Sequence, residues 1–167
     1  MYIRLKRIKT HKYAYLVKNK RYKRKKTPRQ ITVKYLGKIY CPKKVREERL
    51  VNNEVILTNS AEIIEKLIEI ELKNHGFEKK GVIWIDEDII VDIGRKRVFD
   101  KEDRPRAIEV NEGFLTDYTL SGLLNYKYNS KIPLITQGKR FADILISCGI
   151  NIEKELFLRL FEKIHKS

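Results

Sequence analysis

Hydrophobic and polar positions alternate with a period of two through much of the N-terminal segment. Ile3, Leu5 and Arg7 share one parity, with Arg4, Lys6 and Ile8 on the other. Tyr13, Tyr15 and Val17 alternate with Lys12, Ala14 and Leu16, and Ile31, Val33 and Tyr35 alternate with Thr32, Lys34 and Leu36. Such β-branched and aromatic segments predict three strands. Thr10-His11 is expected to turn between the first two, Asn19 to Pro28 to form a long hairpin loop, and Gly37 to close the third strand. Pro28 precedes that strand, where its missing N–H does little harm. A three-stranded antiparallel sheet follows. Tyr13, Tyr15 and Tyr35 share parity with Val17 and Val33, so the tyrosines are expected on a buried side, as packing residues.

The pattern then changes. Residues 41–58 read as a connector, with a short helix conceivable over VREERLV. Ser60 is placed to cap a helix of roughly fifteen residues that presents Ile63, Ile64, Leu67, Ile70 and Leu72 on one face and stops at Gly76. A meander follows. Val82–Ile85 and Ile89–Ile93 flank the acidic turn Asp86-Glu87-Asp88, Gly94-Arg95 leads into Lys96–Phe99, and Arg106–Val110 comes after Arg104-Pro105. The last third is helical. Thr116 or Asp117 can cap DYTLSGLLNYK, and Gln137–Cys148 and Ile152–His165 form an αα-hairpin with Leu156, Leu160, Phe161 and Ile164 as the final apolar stripe. The expected fold class is α+β: a small three-stranded antiparallel head (residues 1–40), then a β-meander packed with helices (residues 59–167).

Charge sharpens this division. Residues 1–46 carry eighteen Lys or Arg and no Asp or Glu, whereas the remainder carries 19 cations against 22 carboxylates, a net of −3. Eighteen cations with no carboxylate in the same segment repel one another, and a polyanion relieves the repulsion while releasing its own counterions. Nucleic acid is therefore the expected partner, with DNA favoured over RNA. A membrane surface would call for a basic helix with an apolar face, which a strand-forming head does not offer. MYIRLKRIKT has no apolar run, so neither a signal peptide nor a spanning segment is expected, and the setting is read as cytoplasmic. Cys41 and Cys148 are far apart and support no disulfide framework or zinc ribbon. Abundant Lys, Ile and Glu with two glutamines resemble the composition of proteins from hot habitats.

The densest feature is the loop from Lys18 to Arg29. Lys20, Arg21, Lys23, Arg24, Lys25, Lys26 and Arg29 can neutralise phosphates, and Tyr22 can stack on a base or sugar. Arg4, Lys6, Lys12 and Lys34 extend the charge over the strands, and a twisted β-ribbon fits a DNA major groove. Tyr2-Ile3-Arg4, Tyr13-Ala14-Tyr15-Leu16-Val17, Arg29-Gln30 and Lys34-Tyr35-Leu36-Gly37 together resemble the amino-terminal segment of a family of insertion-sequence transposases. The resemblance covers about the first forty residues and implies a small β-rich head that binds nucleic acid, DNA above all. It ends there, since the remaining chain is too short for a transposase core and lacks an acidic triad.

Other chemistries are weaker. Asp92 and Glu109 fall on predicted strands, and paired carboxylates of this kind can hold Mg²⁺, but the lysine expected two residues after the second acid is Asn111. His11, His75 and His165 have no ligand-spaced partner, and no phosphate loop or dinucleotide fingerprint occurs, so no metal and no cofactor are expected. The C-terminal αα-hairpin could pass for a helix-turn-helix, yet its second helix opens with Glu153 and Glu155, which a DNA groove would repel. The sequence thus points to a non-catalytic nucleic-acid-binding protein, a DNA-binding regulator or mobile-element accessory protein. The alternatives are an RNA-binding or ribosome-associated protein and, second, a metal-dependent nuclease. The body is read as a contact for a protein partner or a second copy.

Overall fold

A computed structural model describes residues 1–21, 27–50 and 59–166. Its elements run β1 (Tyr2–Ile8), β2 (His11–Lys20), β3 (Arg29–Tyr40), α1 (Ser60–Asn74), β4 (Glu78–Lys80), β5 (Ile83–Asp86), β6 (Ile89–Asp92), β7 (Arg97–Asp100), β8 (Arg106–Val110), β9 (Gly113–Leu115), α2 (Asp117–Leu124), α3 (Leu134–Cys148) and α4 (Lys154–Lys166). The fold is α+β, with a β-rich N-terminal sheet. Two sheets form, one ordered β1-β2-β3-β8-β9 and the other β4-β5-β6-β7. Among the described residues, no helix is long and apolar enough to cross a membrane.

The three basic strands are antiparallel, as their alternation predicts, but they do not stop at themselves. Lys38, Ile39 and Tyr40 pair in parallel with Arg106, Ala107 and Ile108, so β8 belongs to the head's sheet and not to the meander. Gly37 does not close β3; the strand runs on through it. Its φ is 133°, and a Cβ there would lie 2.5 Å from the Arg106 Cα and from the Pro105 carbonyl oxygen. A bare backbone is what lets β3 press against β8. The first turn falls at Lys9-Thr10, with Lys9 at φ 54°. Residues 45–50 form no helix.

Strand β8 divides two cores. Ile108 and Val110 join the main one, to which α1, α2, α3 and α4 and strands β5, β6 and β7 all contribute, and Phe141, Leu145 and Leu160 are among its fully buried side chains. Ala107, on the other face, joins Ala14, Leu16, Leu36 and Ile39 in a small second cluster, with Ile3 and Phe114 packed against it. This placement overturns the expected parity of the head. The buried side is that of Ala14, Leu16 and Leu36, while Val33 is 46% exposed and, of the tyrosine-side residues, Val17 is the one fully buried. Both parities of β2 are apolar, and two register shifts between β2 and β3, at Ala14/Tyr15 and Leu16/Val17, break the alternation that sequence parity relies on.

The helices follow their apolar stripes closely. Asn59, not Ser60, caps α1: its side chain accepts the Glu62 N–H at 2.9 Å. Thr116 caps α2 in a reciprocal box with Thr119. Helix α3 begins at Leu134, a turn earlier than the pattern suggests, after Pro133. Glu71 of α1 then ties the body together, accepting the Asn151 N–H and the Asn111 amide, each at 3.2 Å.

Candidate nucleic-acid interface

Directly opposed residues of neighbouring strands project from the same face of a sheet. Lys6 opposes Tyr13, Tyr13 opposes Lys38, and Lys38 opposes Arg106, so one row of β1-β2-β3-β8 sets an aromatic ring among three cations. The next row is Arg4, Tyr15 and Tyr35. Ring centroids of Tyr15 and Tyr35 lie 5.4 Å apart, those of Tyr13 and Tyr35 6.4 Å, and His11 meets Tyr13 edge-on at 6.5 Å. Tyr13 and Tyr15 are half-buried and Tyr35 is 40% exposed. Among the described residues, no helix packs extensively on β1, β2 or β3. The tyrosines are therefore an open aromatic row, not the packing layer their parity predicts.

The face is held at both ends. Towards the loop, the Arg4 guanidinium donates to the Gln30 side chain, the Gln30 amide donates to the Tyr2 hydroxyl, and that hydroxyl donates to Asn19 at 3.4 Å. Towards the body, Asp100 fixes two arginines. Its carboxylate accepts the Nε–H of Arg104 at 2.9 Å and of Arg106 at 3.0 Å, and the backbone N–H groups of Glu102 and Arg104, each at 3.0 Å. Burial opposes ionisation of Asp100, but these donors outweigh it and hold its carboxyl down at about 2. Partial burial pushes the Tyr35 hydroxyl above the ordinary phenol range, Tyr15 and Tyr13 add to that, and Arg106 and Arg104 pull it back.

The predicted contact residues do not share one surface. Arg4 and Lys6 stand on the tyrosine face. Lys34 opposes Leu16 and Lys12 opposes Arg7, so both belong to the other side, where Lys12 lies 3.8 Å from Glu109. Lys20 and Arg29 form the last pair of the β2–β3 ladder, and Arg21 follows them exposed. Tyr22, Lys23, Arg24, Lys25 and Lys26 lie outside the described residues. Lys38 was reachable from sequence, since it is one more cation on the third basic segment; the early stop assigned at Gly37 hid it. Arg104 and Arg106 gave no such signal, because their place beside the head depends on the β3–β8 pairing.

The carboxylates weighed for metal chemistry do not converge. Asp92 is on β6 and accepts the Arg95 N–H at 2.9 Å, whereas Glu109 is on β8, in the other sheet. Glu109 accepts the Cys41 thiol at 2.9 Å; burial and this bond push the thiol up to about 11, away from nucleophilic use. Among the described residues, no three His, Cys, Asp or Glu side chains are grouped to hold a metal ion. No protein-family model, curated protein or solved structure matches this chain, so the interface stands on its own geometry and charge.

Proposed function

We propose that this protein binds nucleic acid through its N-terminal sheet and hairpin loop, as a DNA-binding regulator or a mobile-element accessory protein acting in the cytoplasm. One observation carries the reading: eighteen cations without a single carboxylate in residues 1–46. Such a surface gains more from phosphate and released counterions than from any internal partner. In this reading the loop from Lys20 to Arg29 neutralises phosphates and fixes the protein on the duplex, with Arg4 and Lys6 continuing the track along the sheet. The neutral body supplies the contact to a protein partner or a second copy. A second reading, attachment to RNA or to the ribosome, is favoured by the open row of tyrosines, because RNA recognition relies on stacking with unpaired bases.

The test is a salt titration of binding to labelled duplex DNA. Changing Arg21, Arg24, Lys25 and Lys26 together to Ala should weaken binding across sequences. It should also flatten the plot of log affinity against log salt, by up to about 3.6 if all four contact phosphate. An unaltered slope would rule out the loop as the contact. Discrimination among duplexes supports the regulator, and co-sedimentation with ribosomal subunits supports the second reading.

A further inference from the structure

We propose that the tyrosine face of the N-terminal sheet takes an unpaired strand, its bases stacking on Tyr13, Tyr15 and Tyr35 and its phosphates lying against Arg4, Lys6 and Lys38. This rests on the nucleic-acid reading above and names the form of nucleic acid that this face accepts. Three features of the site favour it. The rings form a row with centroids 5.4 and 6.4 Å apart, partly exposed, on a face that, among the described residues, no helix covers extensively. The cations sit in the same cross-strand rows as the rings, Lys6–Tyr13–Lys38 and Arg4–Tyr15–Tyr35, so a base on Tyr13 has a phosphate partner on either flank and a base on Tyr15 has one at Arg4. No Asp or Glu occurs in residues 1–46 to repel a backbone lying there.

A duplex can bring its phosphates to Arg4 and Lys6 but cannot stack on the rings, because its bases are already stacked on each other. Unpaired bases expose their faces to aromatic side chains, and stacking of this kind tolerates any sequence. The row also has a direction. Beyond Tyr15, β2 runs through Val17 and Asn19 to Lys20, so a strand leaving the tyrosines is led towards the basic loop. The sheet and the loop then do different work: the loop supplies charge to any nucleic acid, and the tyrosines select the single-stranded form.

The test uses the full chain and three probes: oligo-dT, oligo-rU and a duplex, each of about twenty nucleotides or base pairs. The wild-type protein should bind one or both single strands more tightly than the duplex at equal salt. Tyr13→Leu, Tyr15→Leu and Tyr35→Leu together should cost about tenfold or more on the single strands. Duplex affinity and salt slope should stay unchanged, and the corresponding triple Phe variant should keep single-strand affinity. Ultraviolet crosslinks of the wild-type protein to oligo-dT or oligo-rU should map to Tyr13, Tyr15 or Tyr35, a result that stands even if the Leu variant fails to fold. A folded Leu variant that binds single strands like wild type, or crosslinks confined to other residues, overturns the proposal. If the wild type binds none of the three probes, the underlying nucleic-acid reading itself falls. If it binds and only the loop variant weakens, that reading survives and the platform does not. Preference for oligo-dT or for oligo-rU assigns the strand as DNA or RNA.

Discussion

Asp100 is a side chain whose importance lies in what it orients. It is 2% exposed, its own N–H donates to the Arg104 carbonyl at 3.0 Å, and its carboxylate gathers the Arg104 and Arg106 side chains at the edge of the tyrosine face. Asp100→Asn keeps the shape but removes the charge and one acceptor. It should destabilise the protein by about 2 kcal/mol, lowering Tm by about 6 °C at neutral pH. The pH dependence follows from the sign of the shift. The folded carboxyl titrates near 2, below its ordinary range, so its stabilisation is complete above that range and is lost as pH falls towards 2. Thermal melts of wild type and Asp100→Asn should therefore converge between about pH 4 and pH 2; a gap that stays constant would mean that the charge is irrelevant. On the sequence alone, Asp100 with Glu102 and Asp103 reads as a solvated acidic turn. The reason for the difference is long-range: its arginine partners matter only because β8 folds back against β3. The tyrosines illustrate the same limit. Tyr13 and Ala14 are equally plausible inward positions until a register shift decides between them.

At the level of elements, legibility tracks length and periodicity. Helix α4 presents Leu156, Leu160, Phe161 and Ile164 to the core, the stripe its spacing predicts, because a four-residue repeat over three turns admits no other face. Strands β4 and β9 have three residues each, and Glu78–Lys80 is wholly exposed, so no alternation was there to read. End signals sit between these cases. The Thr116 hydroxyl accepts the Thr119 N–H at 3.2 Å, and the Thr119 hydroxyl accepts the Thr116 N–H at 2.9 Å, both in the interior. Thr116→Ala removes one half of this box and strands a buried donor. It should cost about 1 kcal/mol, read as a lower urea midpoint with an unchanged m-value. Thr116→Ser should restore most of the loss, since only the hydroxyl is needed; failure of the serine variant would point to the methyl group's packing instead.

For the whole molecule, the charge boundary and the structural boundary do not coincide. Charge separates a basic head from a neutral body, and that division was plain in the sequence. Hydrogen bonding joins them, since the sheet passes from β3 into β8 and β9 without a break. The head's own cluster, Ala14, Leu16, Leu36 and Ile39, is small and is completed by Ala107 and Phe114 from the body. A fragment of residues 1–40 would lose both, leave β3 with a bare edge, and still carry fifteen cations and no carboxylate. Three strands with so little apolar area cannot offset the ordering of forty residues together with that repulsion. The isolated fragment is therefore expected to be unfolded in dilute buffer, with collapsed amide dispersion in its nuclear magnetic resonance spectrum. The same segment within the full chain should show strand-like shifts. Adding oligonucleotide to the fragment relieves the repulsion but does not replace Ala107 or Phe114, so dispersion should recover only weakly. A fragment that folds alone would show that the body is a passenger. A fragment that stays unfolded would mean that the body is the scaffold that holds the basic strands in register.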